Sequence, residues 1–274
     1  MSSRNGETTP GQTPRATSRR RSAEAVPAAS GGGDIDVSLA LLWGMGEQAT
    51  RGRKPTITLD AIVTSAVEIA DAEGLEAVSM RRLASELGVG TMSLYRHVPG
   101  KSELLDLMID HVNTLPTEPS PRRGLDWRKH LEECAHGSYR NYVSHAWLLQ
   151  VDQSRPLLGP QALAGLELFL SGLEGLALSG QQKMMVIMSI DALVTGLARQ
   201  EVQSTRAEQR TGVSDEEFWT AQSPVLERAM STGAYPVLAR LPMDAFAATW
   251  EDTFELCLTA LLDGLERRLA LHVS

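Results

Sequence analysis

The stretch LASELGVGTMSLYRHVPGKSELL, residues 83–105, decides how the rest of the chain is read. Its turn, Gly88-Val89-Gly90, separates two short helical patterns, and the second ends in Tyr95, Arg96 and His97, side chains suited to phosphates and base edges. Spacing alone leaves two readings open: a helix-turn-helix that reads DNA, or an ordinary pair of packed helices. The make-up of the second helix favours the first. Leu94 and Val98 fall inward, which leaves Thr91, Met92, Ser93, Tyr95, Arg96 and His97 outside. An outward Met and Tyr are poor choices for a solvated face and suit thymine methyls and sugar-phosphate edges. Arg96 has the reach for either a guanine or a phosphate.

Patterning on both sides is helical. From Thr58 onward Leu, Ala and Glu dominate and β-branched alternation is absent, so the expected class is all-α. Thr58 predicts the N-cap of a helix over 59–73, with Ile62, Val63, Ala66, Ile69 and Ala70 on one face and Gly74 as its stop. Ser79 predicts the start of a helix over 80–87, followed by helices over 91–97 and 101–113. Pro116, Pro119 and Pro121 then break the pattern and place a domain boundary between 58–115 and 122–274. Further helices are expected near 126–147, 160–178, 180–203, 214–231 and 243–271. The last carries Trp250, Phe254, Cys257, Leu258, Leu261, Leu262, Leu265 and Leu269 at spacings of three and four, a seam long enough to meet another helix.

The N-terminal part differs in kind. Residues 1–36 are rich in Ser, Thr, Gly, Pro and Arg with almost no large apolar side chain, which predicts a disordered tail. Residues 37–57 combine a short apolar segment with a basic linker. DVSLALLWGM at 36–45 reads as a helix docked on the body or on a partner subunit, or else as a floating recognition motif; RGRKP at 51–55 is the linker.

Charge is unevenly spread within a formal net value of −8: residues 1–50 hold 5 basic and 5 acidic side chains, 51–101 hold 7 and 6, and 102–274 hold 14 and 23. The acidity belongs to the C-terminal part and leaves a nucleic-acid contact near residue 90 open. Cys134 and Cys257 lie outside any metal spacing and read as reduced thiols in helices. No apolar run approaches the ~18 residues of a membrane span. SRRR at 18–21 lacks the apolar stretch of a twin-arginine export signal, so the expected location is cytoplasmic. His130, His136 and His145 share no helix face with a carboxylate at a ligand spacing, and neither a metal nor another cofactor is expected.

SMRRLASELGVGTMSLYRHVPGKSELLDLMID, residues 79–110, resembles the DNA-binding domain of the TetR (tetracycline repressor) family. That family's pattern is Arg-Leu-Ala-x-x-Leu-Gly-Val, then x-x-x-Leu-Tyr-x-His-Val, then Lys-x-x-Leu-Leu, and the resemblance spans residues 58 to about 113. It implies an N-terminal three-helix DNA-binding domain followed by a C-terminal helical domain that binds a small-molecule effector and dimerises. Carried over by position, Arg81 reaches DNA from the first helix of the motif. Thr91, Met92, Ser93, Tyr95, Arg96 and His97 line the major groove, and Lys101 clamps a phosphate. Met92 and Arg96 stand where the tetracycline repressors carry Pro and Trp, which implies a different operator. RGRKP similarly resembles an AT-hook core, with Arg51 and Arg53 as minor-groove candidates; the alternative is a linker with nonspecific phosphate attraction.

FELCLTALLDGLERRL at 254–269 and Arg155-Pro156 resemble the tetracycline-repressor type of C-terminal domain. The tetracycline repressors bind a drug-magnesium chelate through a His just before their Arg-Pro. Here LLQVDQSRP offers Asp152 and no His, which argues against that chelate. Dimerisation also follows physically, since one seven-residue helix offers too few contacts for an operator and two-fold symmetry doubles them; helices 180–203 and 243–271 are the dimer candidates. Tyr139, Tyr142, His145, Arg155 and Met188 are effector candidates, with a core role as the alternative for each. Asp191, a carboxylate in the apolar MMVIMSIDALVTGLA, faces an effector or partner subunit, or else a solvent-facing bundle edge.

The leading expectation is a homodimeric repressor released from a palindromic double-stranded operator by a small-molecule effector. The competing classes are an architectural or effector-independent DNA-binder and a helical small-molecule enzyme. The chain shows no GxSxG, P-loop, HExxH or dinucleotide fingerprint, and no enzymatic activity is expected.

Overall fold

The structure is a computed structural model describing residues 28–45, 57–114 and 126–269. Among the described residues the regular structure is helical: α1 (Ile35–Leu42), α2 (Leu59–Glu73), α3 (Met80–Glu86), α4 (Thr91–Tyr95), α5 (Lys101–Val112), α6 (Trp127–Ser144), α7 (Pro160–Gly172), α8 (Gly180–Thr211), α9 (Asp215–Ser231) and α10 (Trp250–Leu269). No helix among them is long and apolar enough to cross a membrane.

The expected start signals operate. Thr58 accepts from the amide of Ala61 at 3.1 Å and Ser79 from that of Arg82 at 3.2 Å, each satisfying an amide that the first turn leaves free. Helix α2 stops at Gly74, whose φ of 90° suits a residue without Cβ. Its buried face, with Ile62 and Ala66 fully enclosed, packs on Leu104 and Met108 of α5. Burial of one such Leu or Ile contributes about 1.5–3 kcal/mol.

Several ends differ from expectation. Helix α4 stops at Tyr95, α6 at Ser144 and α7 at Gly172, short of the predicted 97, 147 and 178. Helix α8 runs on to Thr211, because its last two turns, QSTRAEQRT, are helix-compatible without an apolar stripe; Gly212 closes it at φ 68°. The helix expected from 243 begins at Trp250. Met243–Phe246 forms a separate 3-10 turn, and Thr249 and Asp252 then cap α10 reciprocally at 3.0 Å.

The predicted tail also needs correction. Residues 28–36 are seated against the body: the amide of Asp152 donates to the carbonyl of Ala28 (2.8 Å) and that of Ser30 to the carbonyl of Asp152 (3.0 Å), a parallel bridge between residues 29 and 152. Composition hid this because these contacts use main chain and the short polar side chains of Ser and Asp. The apolar segment forms α1 and docks on α5 of its own chain, with Leu41 and Leu42 against the DNA-binding-domain core. RGRKP lies outside the described residues.

The two predicted domains share one core. Trp147, Leu148 and Val151, at the corner after α6, are buried with the side chains of α2 to α5. Asp71, in the last turns of α2, accepts from Trp147 Nε1 at 2.8 Å and pairs with His145 Nδ1 at 2.9 Å. Asp110 of α5 caps α7 from across the boundary, accepting from the amides of Gln161 (3.1 Å) and Ala162 (3.0 Å). Gly159 makes this possible, since a Cβ there would lie 2.3 Å from the Asp110 carboxylate. Helices α6, α8 and α10 enclose a second core around Leu131, Ile190, Phe254, Leu258 and Leu262.

Asp71→Ala strips the Trp147 indole, in a residue 1% exposed, of its acceptor. The expected loss is about 1–3 kcal/mol in urea unfolding, with a smaller loss for Asp71→Asn, which keeps an acceptor oxygen.

Candidate nucleic-acid interface and effector domain

The reading head is held from beneath. Leu83, Leu94 and Val98 are fully buried, and the turn between α3 and α4 is made by Gly88 at φ 64°. After that turn the amide of Val89 reaches back to the carbonyl of Ala84 at 3.0 Å. Helix α4 is therefore a short rod pinned along one side, and its other side stands clear. Met92 is 73% exposed and Tyr95 46%. Arg96 is exposed beside them, its guanidinium donating to Ser93 Oγ at 3.3 Å, while Thr91, Ser93 and His97 are half-buried.

The neighbouring cations divide by role. Arg81 is exposed and makes no hydrogen bond or ion pair among the described residues. Arg82 is spent internally: it bridges Glu73 at 2.8 Å and Glu86 at 2.5 Å, and those two carboxylates hold its guanidinium even more firmly charged than an ordinary arginine. Lys101, expected at a phosphate, is exposed and donates to the carbonyl of Leu75 at 3.4 Å. Arg51 and Arg53 lie outside the described residues.

In the C-terminal domain the structure gathers some effector candidates and separates others. Tyr139 and Tyr142 on α6 face α8. The Tyr139 hydroxyl donates to Glu201 and its ring lies 4.4 Å from that of Phe254, while Tyr142 donates to Asp191 at 3.5 Å. Burial, with these carboxylates adding to it, pushes both phenols above the usual tyrosine range. Asp191 sits on a solvent-open rung of α8, yet crowding around its carboxyl raises it, against the opposing hydrogen bond from Tyr142. Met188 is 65% exposed on the same helix. His145 turns away to Asp71, and Arg155 is exposed on the 152–158 loop.

His130, His136 and His145 have separate partners: His130 is buried against the carbonyl of Leu168 at 2.7 Å, His136 meets Glu255 at 3.1 Å, and His145 meets Asp71. A cleft of about 480 Å³ opens between the end of α2 and helices α6 and α8, lined by Asp71, Val143, Trp147, Glu201, Val202 and Arg206 among others. That volume is in the range of small-molecule sites. Sequence reasoning missed this cleft, and it missed the carboxylates at the joint. The available signal was Glu103 and Asp106 flanking Leu104-Leu105 in a helix otherwise read only for its apolar stripe; both are buried.

Helix α9 has no buried residue, and Phe218, Trp219, Val225 and Leu226 stand open along it. Tyr235, Val237, Leu238 and Phe246 continue that apolar surface in the segment that follows.

Residues 62–108 match the family described as bacterial regulatory proteins, tetR family, and residues 118–269 match the tetracyclin repressor-like C-terminal domain. The HTH-type transcriptional repressor DrrR1 of Streptomyces coeruleorubidus is 50% identical over 237 residues, covering 86% of this chain and 87% of that protein. The tetracycline repressor protein class E of Escherichia coli is 27% identical over 183 residues, covering 65% of this chain and 82% of its own. Among solved structures, apo ActR from Streptomyces coelicolor superposes with a TM-score of 0.61 at 30% identity, covering 80% of this chain and 99% of ActR. ActR in complex with actinorhodin gives 0.56 at 30% identity, covering 78% and 98%.

Two chemical consequences follow from burial. Met92→Ala and Tyr95→Ala leave urea unfolding within about 0.5 kcal/mol of the parent, whereas Leu94→Ala costs about 2–5 kcal/mol. Burial, reinforced by Glu133, pushes the Cys134 thiol up to about 12, so its thiolate is favoured by unfolding and the native state loses stability as pH rises past the thiol's unfolded value. At pH 8 iodoacetamide is expected to label the half-buried Cys257 first and Cys134 only on unfolding, as read by peptide mass.

Proposed function

The chain belongs to the TetR family of bacterial DNA-binding transcriptional regulators, and on that premise we propose that it is a homodimeric repressor released from a two-fold symmetric operator by an organic small molecule. The observation that carries the reading is the geometry of α4: Met92, Tyr95 and Arg96 stand exposed on a helix that Leu94 and Val98 pin to the core. A large apolar side chain held out in water by a rigid support is suited to an apolar contact such as the thymine methyl. Arg81, Lys101 and Arg96 add phosphate or guanine contacts, Thr91, Ser93 and His97 line the groove edge, and Arg51 and Arg53 reach the adjacent minor groove.

Homodimerisation is supported by the unpartnered apolar surface of α9 and the 232–249 segment, together with Met184, Met185 and Met188 on α8 and Leu256 on α10. Large apolar side chains left open in this number mark an interaction surface, and a second copy would cover them as well as double the DNA contacts. The effector engages Tyr139, Tyr142 and Asp191 between α6 and α8, or the adjoining cleft at Asp71 and Arg206. Structures of ActR hold actinorhodin and (S)-DNPA, which supports an organic effector for this chain too. Effector and operator then weaken one another by the same factor, because each binds better to a different arrangement of the two domains.

The test is a footprint on the DNA flanking the protein's own gene, followed by titration at several salt concentrations. A discrete two-fold symmetric site is expected. Tyr95→Ala weakens it about 10- to 100-fold, and Arg81→Ala lowers the salt slope by about one. Arg51→Ala with Arg53→Ala removes protection only from an A/T-rich flank. Sequence-independent protection insensitive to Tyr95→Ala would replace the repressor with an architectural binder.

A further inference from the structure

We propose that residues 28–45 form an intramolecular strap that couples the effector domain to the reading head, and that Asp106 of α5 is the positioning residue that fastens it. Its functional arm rests on the repressor reading above; its mechanical arm does not.

The strap touches both domains. At one end, Ala28 and Ser30 pair with the main chain of Asp152, and the amide of Leu157 donates to Ser30 Oγ at 3.3 Å. In the middle, three donors converge on Asp106, a residue only 3% exposed: the Gly31 amide at 2.8 Å, Ser30 Oγ at 3.2 Å and Ser38 Oγ at 2.8 Å. The Asp34 amide donates to Glu103 at 3.1 Å, and Asp34 in turn caps α1. At the far end, Trp43 Nε1 donates to the carbonyl of Leu158 at 3.2 Å. A segment tied to the 152–158 loop at both ends and to α5 at its middle fixes the distance between them. Helix α5 begins at Lys101, directly after the reading head, so that distance also sets how the head is presented.

The chemistry is that of a built contact. A buried carboxylate is costly unless its lone pairs are filled, and here the strap supplies three of the donors. Gly33 lies so close that a Cβ would stand 2.3 Å from Glu103 Oε1 and 2.9 Å from Ser102 Cβ. The strap is thus seated closely at Gly33, and both carboxylates that hold it are on the helix that follows the head.

Two lesions at separate points test this in the full-length chain. Ser38→Ala removes one donor from Asp106, and Gly33→Ala lifts the strap from Glu103. In hydrogen exchange, each variant is expected to speed the Gly31 and Ser30 amides about tenfold or more. If the strap couples the domains, the Gln161 and Ala162 amides, which bond to Asp110 and touch neither lesion, accelerate as well. On the footprinted operator, the preference for the natural site over one with a base pair inserted at its centre shrinks about three- to tenfold, because the two heads are less rigidly spaced. Unchanged strap amides, or accelerated strap amides with Gln161 and Ala162 fully protected, would overturn the proposal. An unchanged spacing preference with intact binding would overturn its functional arm. Should the parent protein itself show no discrete footprint, it is the repressor reading that fails, and the exchange result still decides the strap.

Discussion

The meeting of the two domains depends on three carboxylates along one helix. Glu103, Asp106 and Asp110 project from α5 at intervals of three and four, and each is filled by donors from outside the three-helix reading unit. Asp106 and Glu103 hold the N-terminal strap, and Asp110 holds the first turn of α7, where an anion also meets the favourable end of the helix dipole. An ionised group taken out of water is penalised by several kcal/mol, so the buried Glu103 and Asp106 make the departure of their donors expensive, while Asp110 is half-buried. Apolar side chains would bury as well but would tolerate sliding. Carboxylates bonded to named amides define position, which a joint that transmits a change of shape requires.

The sequence announced the reading head more clearly than this joint. Ser79, Gly88 and the inward pair Leu94 and Val98 signal their structure locally, within one turn of where they act. Helix α1 was legible as an apolar interruption, though not its destination. The Asp106 contacts were hidden for a physical reason: they join residues 68 to 76 apart through serines and a main-chain amide, which leave no periodic trace. The tail of α8 was hidden differently, because helix continues there without a buried face to mark it. Among effector candidates, Tyr142 meets Asp191 and Tyr139 bonds Glu201 on the same facing helix, whereas His145 was drawn to Asp71, an acceptor on another domain.

The exposed apolar surface belongs to the same logic at a larger scale. Helix α9 has good caps at its start, with Ser214 and Glu217 bonded reciprocally, and it nonetheless buries nothing. A helix stabilised by its ends alone is marginal in water, so packing against a second copy, as in the proposed dimer, would stabilise α9 further. The second core, by contrast, is closed: Arg128 of α6 binds Asp263 of α10 at 2.6 Å and Glu132 at 3.1 Å, fastening the helices around Phe254 and Leu258. Closed core and open arm therefore divide the C-terminal domain into a part enclosed within the chain and a part whose apolar side chains stand open.

Charge placement explains why the head can remain selective. Residues 102–274 carry 14 basic and 23 acidic side chains, so the bulk of the protein is repelled by a polyanion. Near α4 the available cations are few, and Arg82 is already matched by Glu73 and Glu86. A cation already matched inside the protein is one fewer to displace counterions from DNA, and that displacement is the sequence-independent part of DNA affinity. On the proposed reading, the fit of Met92, Tyr95 and Arg96 to base edges distinguishes one sequence from another, and that fit requires the helix carrying them to be held at a fixed angle. The less a DNA-binder's affinity owes to such general attraction, the more it owes to how rigidly the helix that meets the groove is held.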